Sequence, residues 1–269
     1  MPSATLVEPA FHTAPAWSRT LGPEVADLCG HFGYPPVPEQ QLLLDDTFGF
    51  DSNGRSVAFE IAAICSRQNL KTVFLMQAAI GWLFVTDQRL VVWSAHDFGT
   101  AQETFRDMEQ RVTGSDILRR RVKNISHGNG DEAIELLSGS RLMFKARTTG
   151  GGRGLTGDKV ILDEAFALQP SHMGALLPTL SARPDPQVAY GSSAGLASSD
   201  VLRGLRDRGR AGTSPRLAYA EWCAPDGTCA TISCRHALGV EGCALDDPAN
   251  WQQANPQMGQ RITVDFIAA

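Results

Sequence analysis

The segment from Cys65 to Thr72 combines residue types that can bind phosphate. It reads CSRQNLKT and lies between two apolar runs. A loop between a strand and a helix presents backbone N–H groups to an anion, while a Lys and a following Thr contact the phosphates and Mg²⁺. Lys71 and Thr72 supply both groups. Cys65 and Leu70 stand where the G-x-x-x-x-G-K-[ST] pattern has glycine, so this motif alone also fits an ordinary strand–turn–helix junction with a solvated Lys.

A second apolar run, VILDE, ends in the acidic pair Asp163 and Glu164. In nucleotide hydrolases an Asp at a strand end orders Mg²⁺ and its water, and an adjacent Glu polarises the attacking water. Such a run is also typical of a helix N-cap followed by a first-turn acid. Two such half-motifs in this order, about 90 residues apart on separate predicted strands, favour a nucleotide-hydrolysing site.

Alternating strands and helices are predicted to position these residues. Apolar runs predict strands at 57–64, 89–94, 133–137, 141–146, 159–162, 187–191 and 217–222. Helices are predicted at 39–48, 72–85, 100–112, 116–122, around 173–181, and at 199–210. This alternation implies an α/β fold with a mainly parallel sheet and helices on both faces. Residues 1–38 are rich in Pro and Gly and predict an N-terminal arm or lead-in before a domain at 39–269.

The charge, hydropathy and cysteine content of the chain exclude several classes of protein. The chain has 269 residues, a net charge of −5 and a pI of about 5.7, so any nucleic-acid contact must come from local basic patches. No signal peptide is evident, and the longest apolar stretch, 73–85, is too short to span a bilayer. Six cysteines are too few for a disulfide scaffold and indicate a reducing, cytoplasmic compartment.

The segment SRQNLKT resembles the Arg- and Gln-rich phosphate loop of large terminase subunits, the DNA-packaging motors of tailed bacteriophages. The resemblance extends over residues 39–267 and includes the stretches LVVWSAHDFGTAQETF, HGNGDEAIELLSGSRLMFKAR, GGGRGLTGDKVILDEA and GSSAGLASSDVLRGLRDRG. It implies an ASCE-type P-loop ATPase that binds ATP and Mg²⁺ and acts in the host cytoplasm. The implied partners are double-stranded DNA, further copies of the chain in a ring, the portal protein and the small terminase subunit.

The resemblance also implies a role for individual residues. The nucleotide would be bound by Gln40 (or the adjacent Gln41) at the adenine and by Ser66, Arg67, Gln68, Asn69, Leu70, Lys71 and Thr72 at the phosphates. Arg67 would contact the γ-phosphate in cis, Thr72 and Asp163 would hold Mg²⁺, and Glu164 would be the catalytic base. The coupling motif would be Ser192, Ser193 and Ala194, and Arg153 would reach the nucleotide of a neighbouring subunit.

Two departures from the family pattern carry expectations. If position 70 requires a positive φ, Leu70 costs about 1 kcal/mol or more and crowds the phosphates, which would weaken turnover. Large terminase subunits also carry a C-terminal ribonuclease-H-like nuclease, and this sequence ends at Ala269, so no nuclease activity is expected. The alternatives to a packaging ATPase are a nucleotide-binding assembly module with weak or no turnover and another P-loop nucleic-acid ATPase.

Four thiols and an imidazole form a candidate zinc set, comprising Cys223, Cys229, Cys234, His236 and Cys243. The spacing is irregular and contains no C-x₂-C, which favours small buried thiols instead.

Two basic runs are candidates for contact with the DNA backbone. They comprise Arg119, Arg120, Arg121 and Lys123, and Arg203, Arg206, Arg208, Arg210 and Arg216. Because positions 203, 206 and 210 share one helical face, they could track phosphates without reading sequence. A solvated face or a subunit contact is the favoured alternative.

Overall fold

A nine-stranded sheet organises the computed structural model, which describes residues 5–128, 130–147, 156–225, 229, 234 and 243–268. The strands are β1 (Phe11–Thr13), β2 (Arg19–Thr20), β3 (Gly49–Phe50), β4 (Glu60–Ile64), β5 (Leu90–Ala95), β6 (Val122–Ser126), β7 (Ala133–Leu136), β8 (Arg141–Ala146), β9 (Lys159–Leu162), β10 (Gln187–Ser192) and β11 (Leu217–Glu221). The helices are α1 (Gly22–His31), α2 (Pro38–Thr47), α3 (Lys71–Ile80), α4 (Phe98–Gly114), α5 (Asp116–Arg119), α6 (Pro170–Leu180), α7 (Asp200–Ala211), α8 (Pro248–Ala254) and α9 (Val264–Ala268).

The sheet has the order β1-β11-β4-β10-β9-β5-β8-β7-β6. The six strands from β11 to β8 are parallel to one another. At one edge β1 pairs antiparallel with β11, and at the other β7 pairs antiparallel with β8 and β6 pairs antiparallel with β7. The separate pair β2–β3 forms a short antiparallel ribbon. The mainly parallel α/β sheet predicted from the sequence is therefore confirmed, and β10 lies between β4 and β9.

Apolar side chains cover both faces of this sheet, as the near-continuous hydrophobic runs predict. On β4, Ile61 and Ala63 pack into the core that contains α1–α4, whereas Ala62 and Ile64 pack into the core beneath α6 and α7. This split follows from the two-residue period of a strand. Helix α3 is buried on nearly all sides, which explains why its sequence is apolar almost all round, and it continues into a π-helical turn at Gly81–Val85.

Two segments differ from the sequence prediction. The helix predicted over 116–122 ends at Arg119, because the chain from Val122 onward pairs with β7 as the edge strand β6. The residues predicted as a lead-in contribute β1, which pairs with β11, and α1, whose Val25 and Cys29 are fully buried against the core. Among the described residues, every helix is too short or too polar to cross a bilayer.

Candidate nucleotide-binding site

Three loops meet at the carboxyl-terminal edge of the parallel sheet. They follow the neighbouring strands β4, β10 and β9, and they carry the segments 65–72, 192–194 and 163–164. Residues of all three loops line one cavity of about 330 Å³, together with Thr100 and Thr104 of α4. Crevices outside the carboxyl ends of strands are the usual ligand sites of open α/β sheets.

The backbone of the 65–72 loop corrects the expectation for Leu70. Leu70 has φ −85° and a fully buried side chain within the hydrophobic core, so it neither needs a glycine conformation nor crowds the cavity. The left-handed residue of the loop is Gln68, with φ 58° and an exposed side chain. The left-handed residue of the loop is therefore at position 68 and not at position 70, so Leu70 is free of the backbone strain that was expected there.

Lys71 is a cation of the loop and the first residue of α3. Its Nζ donates hydrogen bonds to the carbonyl oxygens of Cys65, at 2.8 Å, and Ser66. The ammonium therefore lies inside the curve of the loop, held by peptide oxygens at the position from which it can reach an anion at the helix N-terminus. Thr72 is exposed to the same cavity, and the exposed Arg67 lies at its rim.

Asn69 holds the loop in shape. Its Nδ2 donates to Ser66 Oγ at 2.7 Å, to the carbonyl oxygen of Arg67 at 3.0 Å and to Asn255 Oδ1 at 3.1 Å. Ser66 Oγ in turn donates to the carbonyl oxygen of Ala254 at 2.9 Å. The loop is thus fastened to the end of α8, and the Asn69 amide is used for bracing rather than left free for a nucleotide.

Asp163 and Glu164 follow β9 directly and face the cavity. Asp163 is 5% exposed, and its Oδ1 accepts a hydrogen bond from the Glu164 N–H at 2.9 Å. Burial, reinforced by the charge of Glu164, raises the pKa of the Asp163 carboxyl to about 6, although that hydrogen bond and the charges of Arg147 and Lys71 oppose the shift. A buried carboxylate that is costly to ionise gains from a nearby cation, which is the electrostatic setting of a metal ligand.

Glu164 departs from ordinary backbone geometry. It adopts the left-handed conformation, with φ 53°, and its buried Oε2 has no hydrogen-bond partner among the described residues. A non-glycine residue in this region costs about 1–2 kcal/mol, and such strain persists where the surroundings enforce it. The turn brings Glu164 to the wall of the cavity, and the buried Oε2 is a carboxylate oxygen with unused acceptor capacity.

Arg147 is a site residue that the sequence analysis missed. The residue is 8% exposed, and its guanidinium donates to the carbonyl oxygens of Ser94 at 3.0 Å, Asp163 at 2.6 Å and Glu164 at 3.1 Å. Burial lowers the pKa of Arg147 to about 10, and the charges of Asp163 and Glu164 oppose that shift. Arg147 therefore braces the left-handed turn from behind. Its only signal in the sequence is an Arg directly after an apolar strand, which carries no information about its partners.

Gln40 does not face the cavity. Its Oε1 accepts hydrogen bonds from the Val37 N–H and from Gln77 Nε2, both at 3.1 Å, and its Nε2 donates to the carbonyl oxygen of Leu70, also at 3.1 Å. These bonds engage the Oε1 and one N–H of the amide against the back of the loop, and the role of Gln40 at adenine stays a prediction. Neighbouring Gln41 bonds to Asp45 Oδ1 at 2.7 Å.

Of the predicted coupling motif, Ser192 and Ser193 line the cavity, and the Ser192 hydroxyl donates to the carbonyl oxygen of Ser193 at 2.8 Å. Ala194 lines a neighbouring groove instead. Arg153 lies outside the described residues, so its predicted role in a neighbouring subunit stays a prediction.

Most of the predicted DNA-tracking cations have acidic partners. The ion pairs are Arg119–Asp116, Arg121–Asp87, Lys123–Glu135, Arg203–Asp200, Arg208–Glu60 and Arg210–Glu221. Arg210 also stacks over the ring of Phe11, at 4.3 Å from its centroid. Six cations of the two basic runs therefore form ion pairs within the chain. Contact of these runs with DNA stays a prediction.

The structure brings three members of the predicted zinc set together. The sulfur atoms of Cys229, Cys234 and Cys243 lie within 4.8 Å of one another. Cys223 is not part of this group, and its sulfur accepts a hydrogen bond from Arg210 Nη2 at 3.7 Å. His236 lies outside the described residues.

No protein-family model and no curated protein sequence matches the chain. Among solved structures, the chain is similar to the HK97 bacteriophage large terminase, with a TM-score of 0.72 and 18% identity over 93% of this chain and 50% of that one. It is also similar to the Thermus phage P74-26 large terminase ATPase domain, with a TM-score of 0.54 and 18% identity over 74% of this chain and 85% of that domain. The fold that the sequence resemblance implied, that of large terminase ATPase domains, is therefore confirmed. The chain spans half the length of the HK97 protein.

Proposed function

We propose that this chain is the ATP-hydrolysing motor domain of a phage large terminase subunit, which moves double-stranded DNA into a procapsid. The proposal rests on one observation. Lys71, Asp163 and Glu164 meet at a single cavity, at the ends of strands β4 and β9, in a chain with the fold of large terminase ATPase domains.

The donor set of the cavity fits Mg²⁺ and phosphate. Thr72 and Asp163 offer the oxygen ligands that Mg²⁺ prefers, and Lys71 offers a compact positive charge to the phosphates. At about 330 Å³ the cavity is at the small end of ligand sites, a size suited to the triphosphate and its metal rather than to the whole nucleotide. When bound, Mg²⁺ would neutralise charge on the phosphate oxygens.

We assign Glu164 as the general base that activates the attacking water. Glu164 lines the cavity, where its carboxylate would accept a hydrogen bond from a water and draw away a proton as the water attacks the γ-phosphate. Lys71 would exchange its present partners, the loop carbonyls, for phosphate oxygens. Arg67, exposed at the rim, would reach the γ-phosphate.

Substitution of the two central residues tests this assignment. Glu164→Gln should keep Mg²⁺-ATP binding in calorimetry and lose turnover, because an amide fills the same space but is not a base. Lys71→Ala should lose binding itself, since a phosphate charge is left unpaired. Glu103→Gln is the matched control, because that side chain on α4 is 72% exposed and is not among the residues that line the cavity. Parental hydrolysis by Glu164→Gln would remove Glu164 from the role of base.

The assembly proposed here is a ring in which Arg153 completes the site of a neighbouring copy. Arginines of this kind contribute about 10³–10⁵ in rate. Arg153→Ala should retain ATP affinity and lose turnover, and mixing it with Glu164→Gln should restore part of the activity, because some mixed interfaces hold both intact residues. The rescue should vanish on dilution. No rescue in a mixture shown to co-assemble would mean that Arg153 does not act between subunits.

DNA, the portal protein and the small terminase subunit are the proposed partners of the full motor. Stimulation of ATP turnover by double-stranded DNA, absent in Glu164→Gln, is the measurement that supports the DNA partner. Equal turnover with and without DNA, in an assembled sample, would argue for an ATPase that works on something else.

A further inference from the structure

We propose that Cys229, Cys234 and Cys243 form a structural Zn²⁺ site, separate from the phosphate cavity. The three sulfur atoms lie within 4.8 Å of one another, and those of Cys229 and Cys243 are 4.0 Å apart. Tetrahedral zinc with Zn–S bonds of about 2.3 Å places its sulfur ligands about 3.8 Å apart. The cluster therefore needs only a small contraction to hold the metal.

The number and surroundings of the thiols favour a metal over a disulfide. A disulfide requires about 2.05 Å between two sulfurs, and a single bridge would leave the third thiol of this cluster unused. The Ala244 N–H donates to Cys229 Sγ at 3.3 Å, the kind of outer contact that orients and stabilises a metal-bound thiolate. Zn²⁺ accepts a nitrogen or oxygen donor beside three thiolates, so its fourth position does not require another cysteine.

The position of the cluster explains what a metal would do there. The cysteines lie in the connection between β11 and α8, whose described residues hold one short 3₁₀ turn, Ala244–Asp246. Zinc would crosslink this connection and so fix the start of α8. The far end of α8 fastens the phosphate-binding loop, through Ala254 and Asn255 against Ser66 and Asn69. The metal would therefore stabilise the support of that loop without touching the nucleotide.

Metal content and cobalt spectroscopy test the proposal directly. Protein purified under reducing conditions should contain about one zinc ion per chain, measured by inductively coupled plasma mass spectrometry. After chelation, addition of Co²⁺ should produce thiolate-to-cobalt charge-transfer absorption and the visible bands of tetrahedral cobalt. Co²⁺ bound at Asp163 and Thr72 has oxygen ligands only and would not produce the thiolate band, so the two sites are distinguished.

Two variants complete the test. Cys234→Ser should lose the zinc and the thiolate band, whereas Cys223→Ser, the matched control from the same connection, should retain both. If Cys234→Ser fails to fold, the cobalt titration of the parent protein still decides. Reduced, folded parent protein without zinc and without a thiolate–cobalt band would overturn the proposal, as would a native disulfide between Cys229 and Cys243 or loss of metal from Cys223→Ser.

Discussion

Replacing Asp163 by Asn should make the nucleotide-free protein more stable while removing a metal ligand. Burial raises the pKa of the Asp163 carboxyl from 3.8 to about 6. At about 1.4 kcal/mol per pKa unit, the ionised carboxylate costs the folded protein about 3 kcal/mol at neutral pH. Asp163→Asn has nearly the same shape and no charge, and its Oδ1 can still accept the bond from the Glu164 N–H. The free energy of unfolding should therefore rise by up to about 3 kcal/mol.

The gain in stability should follow pH with a defined sign. Because the folded-state pKa of Asp163 lies above its unfolded-state value, the folded parent binds more protons between these two values and loses stability as the pH rises through them. The advantage of Asp163→Asn should be nearly absent below about pH 4, about half developed near pH 5 and complete above about pH 7.

Urea unfolding of metal-free protein, with a chelator and without nucleotide, measures this profile from about pH 5 to pH 8. Asp207→Asn is the control, because its side chain on α7 is 65% exposed and surface substitutions usually change stability by no more than about 0.5 kcal/mol. Asp163→Asn should also lose the contribution of Mg²⁺ to ATP affinity in calorimetry. A variant no more stable than the parent near neutral pH, or equally more stable across the range, would refute the reasoning.

Three further substitutions test the surroundings of the site. Arg147→Met should lower the free energy of unfolding by about 2 kcal/mol or more, because three carbonyl oxygens lose a charged donor, and kcat should fall more than ATP affinity; unchanged kcat in a folded variant would make the residue purely structural. Leu70→Gly should destabilise the fold by at least about 2–5 kcal/mol, the usual cost of emptying a buried Leu site, and any rise in turnover or affinity would show that the Leu70 side chain hinders nucleotide binding or hydrolysis. Gln68→Gly should raise the melting temperature of the nucleotide-free protein, because glycine relieves about 1 kcal/mol of left-handed strain; a lower melting temperature would show that the Gln68 side chain stabilises the loop.

The local pattern of apolar and turn residues in the sequence determined many of the strands and helices of this protein. The β4 and β9 strands, the α3 helix between loop and core, and the hairpin of β7 and β8 follow from hydrophobic periodicity and turn residues, which act over a few neighbouring positions. The positions of Lys71 and of the Asp163–Glu164 pair at one cavity are likewise anticipated by the sequence, because these residues follow the apolar runs that form β4 and β9.

Tertiary structure alone decided the features that depend on distant partners. The backbone angle at Leu70 is a property of the folded loop. The Leu70 side chain is buried in the core and its φ is ordinary, whereas Gln68 adopts the left-handed conformation. Gln40 and Arg147 are separated in sequence from the groups they brace by 30 and 16 residues, so their amide and guanidinium find those carbonyls only after the sheet has formed. Buried hydrogen-bonding groups must be satisfied wherever the fold places them, and no local spacing specifies that place.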